Sequence, residues 1–275
     1  MREDLLQARP DDLALRRDLI VVYGNYSGIL GMPWQSNLGR YEEARAYCRR
    51  SVALARELAK ADPRNMTAQY GLGMALSRLG MVDPGTDNLL ESLQTLREAI
   101  AIIEPIAGAN PKSSNIAVQL ALAIEYAGQR LGSLGQTSAA AEQYRKSLAA
   151  VDACAVTGVP YCALQAIRDE ELLASLYADT GGLRMARAFA DRAVAHAEAY
   201  ANGDRQSDRR IGQLAKAYFV LASVSRAAGD RYQSRESARR ALSLWQSVRD
   251  PNVLAFHRQA MEEARAMLRE KSDFR

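Results

Sequence analysis

Two histidines, three cysteines and adjacent carboxylates such as Asp169-Glu170-Glu171 and Glu262-Glu263 are the side chains here that catalysis or metal binding would use. General acid–base work and zinc binding both need partners at fixed spacing. Yet His196 and His257 each stand alone in stretches rich in Ala, Arg and Glu, with no His or Cys at metal spacing. Each is expected as a surface or interhelical side chain. Neighbouring carboxylates on a helix point about 100° apart and cannot share one site. They are expected as solvated charges, with Asp169 to Glu171 in the first turn of a helix, where its dipole favours them. Cys48, Cys154 and Cys162 are odd in number and form no C-x-x-C pair, so reduced, part-buried thiols are expected. The run from Ala107 to Ser113 imitates a phosphate loop but lacks the leading glycine and follows helical sequence. Gly71, Gly73 and Gly80 likewise follow no strand and read as helix-packing residues. No catalytic residue, cofactor or metal is therefore expected, and the chain reads as something other than an enzyme.

The elements that would carry these residues are helices. The 275 residues include only 8 Pro, 18 Gly, 4 Phe and 2 Trp, with abundant Ala, Leu, Arg and Glu. That balance favours helix over strand. Net charge is +4, and residues 205–275 hold 15 Lys and Arg against 8 Asp and Glu, a local +7. A solvated basic helix face accounts for that excess, and an acidic partner would also be favoured by it. Residues 1–4 lead into no apolar signal core. The uncharged stretch from Leu19 to Gly39 contains Asn25, Gln35, Asn37, Pro33 and several glycines, which argues against a membrane span. A soluble, cytoplasmic chain is expected.

Two markers recur in alternation. Arg9-Pro10, Asp62-Pro63, Asn110-Pro111, Val159-Pro160 and Asp250-Pro251, with Asn202-Gly203-Asp204 filling one gap, fall about 43–53 residues apart. Gly31, Gly80, Gly135, Gly181 and Gly229 interleave with them. Proline cannot continue a helix, and glycine ends one in the left-handed conformation at little cost. Alternating them predicts helix pairs in units of about 11–62, 63–110, 111–159, 160–203 and 204–250, then a capping helix over 251–271. Within a unit, Leu72, Ala75, Leu76 and Leu79 form one apolar stripe, with Gly73 admitting close backbone contact. Ala140, Tyr144, Ser147 and Leu148 form another.

On these residues the chain resembles the tetratricopeptide repeat family. Leu72-Gly73, Gly80 and Ala99 match its pattern in the second unit, and Gly128, Gly135, Ala140, Tyr144 and Pro160 do so in the third. Tyr41 and Ala44, then Leu173-Ala174, Gly181, Ala186 and Ala193, then Leu221-Ala222, Gly229, Ala238 and Ala241, extend the match over nearly the whole chain. The resemblance implies an all-α, right-handed α-solenoid of about five helix pairs plus a C-terminal capping helix, arranged as one array over residues 1–275. Two features depart from the family: the longer period, and swollen turns at residues 32–38 and 81–87. The long units and the insertion Gly31, Pro33, Asn37, Leu38, Gly39 are similar to repeat regions found C-terminal to bacterial serine/threonine kinase domains. The kinase motifs themselves are absent.

The resemblance also implies a concave face lined by the first helix of each pair, used to hold a protein or peptide. By register its candidate contacts are Asn25, then Tyr70, Met74 and Arg78, then Glu125 and Gln129. Arg168 follows in the fourth unit, and Lys216, Phe219 and Arg226 in the fifth. Their mixed chemistry suits an extended peptide or partner helix. The family's carboxylate clamp is not reproduced, because Val21 stands where a lysine is expected. Trp34 either anchors a partner or folds back beside Pro33 over the first helix pair. The rival expectation is a nucleic acid or other acidic partner held by the basic C-terminal third.

Overall fold

The structure, a computed structural model, describes residues 2–9, 12–33, 37–82 and 88–269. Among them are thirteen helices and no strand. A short α1 (Arg2–Ala8) precedes the pairs α2 (Leu13–Gly31) with α3 (Tyr41–Ala61) and α4 (Met66–Met81) with α5 (Leu89–Ala109). Next come α6 (Ser114–Ser133) with α7 (Thr137–Val156), α8 (Pro160–Asp179) with α9 (Leu183–Asn202), and α10 (Asp208–Ala227) with α11 (Arg231–Ser247). The chain closes with α12 (Pro251–Phe256) and α13 (Arg258–Arg269). Two compact units divide it, unit 1 being Met1–Gln143 and unit 2 Tyr144–Arg275.

Helix starts follow the local chemistry. Asp12, Asn65 and Ser113 accept from the backbone N–H three residues on, capping α2, α4 and α6. Asp230 does the same for α11, Asp250 caps α12, and Pro160 opens α8. Gly135, Gly181 and Gly229 have φ of +75°, +79° and +78°, as the turn pattern requires. Gly31 and Gly80 are different: both lie inside the last turn of their helices. They are glycine because a neighbour fills the space of a side chain, Tyr41 and Ala44 at Gly31, and Leu96 at Gly80.

In unit 1, α4 lies between α3 and α5, with Leu72, Ala75 and Leu76 packed against Val52, Ala55, Ala59 and Ala99. Gly73 lets α5 approach so closely that an added Cβ would stand 2.6 Å from Ile103. Arg130 of α6 reaches back to the end of α4, donating to the carbonyls of Gly80 and Met81 at 3.3 and 3.1 Å and to Ser92 Oγ at 2.8 Å. One guanidinium thus fastens three helices and satisfies carbonyls that the end of a helix leaves open.

In unit 2, Ala215 and Ala222 of α10 meet Ala238, Ala241 and Trp245 of α11 and Ala264 and Met267 of α13. The expected single capping helix is broken at His257, which is buried against Trp245. The expectation of reduced cysteines is also corrected. Cys154 and Cys162 are disulfide-bonded with Cα atoms 5.7 Å apart, and Cys48 is free and buried. Gly158, at φ +77°, and Pro160 turn the α7–α8 linker back so that the two thiols meet. A separation of eight residues carries no recognised sequence signature.

Glycine at the α4–α5 crossing yields a paired prediction. Gly80→Ala places a methyl 2.5 Å from Leu96 Cγ and 3.1 Å from the Ser92 carbonyl. It should cost about 1–3 kcal/mol in urea unfolding. Gly71→Ala, in the same helix with nothing within 4 Å, should instead stabilise by about 0.5–1 kcal/mol.

Candidate functional site

The first helices of the pairs carry the face that could meet a partner. In unit 1, Asn25 is exposed on α2 between Val21 and Ile29, each 58% exposed. Tyr70, Met74 and Arg78 follow one another at four-residue spacing on α4 and are half-buried. The Arg78 side chain crosses to α2, where its guanidinium lies against Gly24 so closely that any Cβ there would collide with Nη1. No acceptor pairs with that guanidinium among the described residues. The Tyr70 hydroxyl is buried and has no hydrogen-bond partner among them either. Burial raises the Tyr70 pKa, and the charge of Arg78 opposes that rise. Burial raises the Cys48 pKa, while a hydrogen bond with Ser27 and the charge of Arg78 oppose it. On α6, Glu125 is fully buried and accepts from Gln129 Nε2 at 2.7 Å, so both are engaged within the protein.

In unit 2 the corresponding helices hold an ionic interior. Asp169, Glu170 and Glu171 are buried in the middle of α8, not solvated in a first turn. The helix begins at Pro160, nine residues earlier. Their directions do diverge, and each meets a different neighbour. Asp169 accepts from Ser147 Oγ of α7 at 2.7 Å and from Gln165 at 3.2 Å. Glu170 faces α9, with Arg192 and His196 Nδ1 each 2.9 Å from a carboxylate oxygen. Glu171 faces α10, with Lys216 Nζ at 2.9 Å and Gln213 Nε2 at 2.8 Å. Desolvation raises the Glu170 pKa, and His196 and Arg192 counter it.

Of the residues expected on the face of unit 2, Lys216 is committed to Glu171, and Phe219 packs toward Trp245 with ring centres 6.3 Å apart. Arg168 is half-buried on α8, and Arg226 is exposed in the last turn of α10. Trp34 lies outside the described residues. The buried partners of α8 and the seat of Arg130 had no place among the expected contacts. The position of Pro160 was the signal that Asp169 to Glu171 lie in a helix interior.

His257 ends α12 beside Gly212, Val253, Trp245 and Phe256. Its pKa is lowered from 6.5 to about 4, chiefly because burial disfavours the charged ring and secondarily because Lys216 repels it.

Paired antiparallel helices, tight glycine and alanine crossings and left-handed glycines between partners define a helical-repeat protein. The sequence of residues 35–58 matches the tetratricopeptide repeat model. BtubC from P. vanneervenii is similar in fold, with 19% identity and a TM-score of 0.58 over 83% of this chain and 88% of that one. A signal-transduction ATPase with a tetratricopeptide repeat sensor from Pyrococcus horikoshii matches at 13% identity and a TM-score of 0.59. That match covers 95% of this chain but 34% of the ATPase. A kinesin light chain with nearly identical repeats from Podosopora anserina matches at 16% identity and 0.54, over 85% of this chain and 96% of that one. No curated protein matches in sequence. No helix among the described residues is long and apolar enough to cross a membrane.

Two measurements probe the unit 2 network. Lys216→Met strands the Glu171 carboxylate in the interior and should cost about 2–3 kcal/mol. Adding Glu171→Gln should restore most of that loss in a double-mutant cycle. His257 binds its proton more readily when unfolded, so it withdraws stability as pH falls from about 6.5 toward 4. The loss should reach about 3 kcal/mol near pH 4. Unfolding curves of His257→Gln should lack this component.

Proposed function

We propose that this chain is a protein-interaction module holding an extended peptide or a partner helix along the faces of α2, α4 and α6 in unit 1. One observation carries the reading. Val21 and Ile29 are 58% exposed on the side of α2 that also shows Asn25, and Tyr70 and Met74 continue half-buried on α4. Apolar side chains displayed at helical spacing on neighbouring helices suit the anchors of an amphipathic helix or the alternate side chains of an extended segment. The network of unit 2 supports the same role, because its carboxylates fasten helices to one another.

Nucleic acid is the second reading, favoured by the charge of unit 2. That unit holds 21 Lys and Arg against 16 Asp and Glu, or +5, whereas unit 1 stands at 15 against 16, or −1.

The double substitution Val21→Glu/Ile29→Glu, made in the full chain, separates the two. Both positions are exposed, so thermal stability should change by no more than about 0.5 kcal/mol. Affinity capture by the parent chain should yield a defined protein that the variant loses at least tenfold. Equal capture by the two chains would remove the reading. Recovery of nucleic acid whose binding falls steeply between about 50 and 200 mM salt would replace it.

A further inference from the structure

Every linker that carries the chain from one helix pair to the next is closed by main-chain hydrogen bonds. Asn65 N–H donates to the Asp62 carbonyl at 3.1 Å, Ser113 N–H to that of Asn110 at 2.9 Å and Ser207 N–H to that of Asp204 at 3.3 Å. The α7–α8 linker, residues 157–159, is closed in the same way. Gly158, at φ +77°, donates to the Ala155 carbonyl at 3.0 Å, and Val159 N–H to that of Cys154 at 3.2 Å. Thr157 Oγ1 donates to the same Cys154 carbonyl at 2.9 Å. Two turns further into the pair, Ser147 Oγ of α7 donates to Asp169 of α8 at 2.7 Å. Turn and pair are thus fastened without sulfur, and none of the other three linkers holds a cysteine. A bridge over a separation of eight residues also constrains the unfolded chain less than a longer one would.

The two ends of the bond differ. Cys162 is fully buried in the first turn of α8, whereas Cys154, in the last turn of α7, is only half-buried. Between them in the chain, Val156 is 83% and Tyr161 69% exposed, so apolar surface is displayed on both sides of the bond. Disulfides with exposed surface that a fold does not depend on are the ones that exchange.

We propose that Cys154–Cys162 is a thiol–disulfide exchange site, at which a protein carrying a reactive dithiol docks on Val156 and Tyr161 and reduces the bond by attack on Cys154 Sγ. The incoming thiolate forms a mixed disulfide with Cys154, the S–S bond breaks, and Cys162 leaves as a thiolate that takes up a proton. The positive end of α8 favours that departing charge. The partner's second thiolate then displaces Cys154 Sγ, which is protonated in turn, and the partner departs with its own disulfide, two electrons having passed to the cysteine pair. Reduction releases the last turn of α7, while Ser147 and Asp169 still hold the two helices together.

The test treats the oxidised full chain, under native conditions, with a thioredoxin-class Cys-x-x-Cys protein or with dithiothreitol at equal dithiol concentration. Free thiols are counted by maleimide labelling and intact mass, the buried Cys48 providing the constant background. The protein should reduce the bond at least about tenfold faster than dithiothreitol, with helix content by circular dichroism unchanged. A form of that protein with serine at its second cysteine should be trapped on Cys154. Val156→Ser/Tyr161→Ser should slow the protein at least about tenfold and dithiothreitol less than about twofold. Amides of residues 154–162 should exchange with deuterium at least about tenfold faster after reduction, and those of residues 165–171 should not. Labelling that appears only once urea unfolds the chain makes the bond a structural brace and overturns the proposal. Trapping on Cys162 overturns the assigned point of attack. Equal slowing of both reductions by the double substitution, or a protein no faster than dithiothreitol, overturns the docking surface, and unchanged exchange at residues 154–162 overturns the release of α7.

Discussion

The short distance between paired helices is the constraint on which this architecture depends. Alanine and glycine occupy the crossings: Ala75 and Ala99 between α4 and its neighbours, Ala215, Ala222, Ala238 and Ala241 in unit 2, and Gly73 and Gly80 where even a methyl group would collide. At that separation the middle of α8 is enclosed on several sides. Polar side chains on such a helix must find partners on the adjoining helices or remain unsatisfied. Helix α8 is the clearest instance, because three consecutive carboxylates are all enclosed and each is answered by a different helix.

Satisfied and unsatisfied polar groups thereby become distinguishable. Glu171 is ion-paired with Lys216 and accepts from Gln213 of α10, and Glu125 accepts from Gln129 within α6. Arg130 is likewise committed to the end of α4. The Tyr70 hydroxyl has no such partner among the described residues. Val21, Asn25 and Ile29 are outwardly open.

Much of the architecture was legible in the sequence because its punctuation is physical. Proline at 160, aspartate at 250 and glycines at 135, 181 and 229 do in the fold what their backbone chemistry requires. Gly31 and Gly80 fell in the same series by position but serve packing, which depends on the neighbours Tyr41 and Leu96 and not on local sequence. The buried carboxylates were misread for a related reason. Helical periodicity gives the direction of a side chain, and how many directions are enclosed is decided by the helices around it. The pairing of Cys154 with Cys162 depends on the path of a linker, for which a spacing of eight residues gives no rule. Among the expected face residues, the sequence could not tell that Lys216 and Gln129 were already occupied within the protein.

The disulfide across the α7–α8 linker bears on how this region would respond to a protease. Val156 and Tyr161 are exposed and lie within residues 155–161, between the two bonded cysteines. A cut anywhere in that segment opens the main chain but leaves the flanking helices joined through sulfur. The nicked polypeptide would keep the mass of the whole until a reductant released its two pieces.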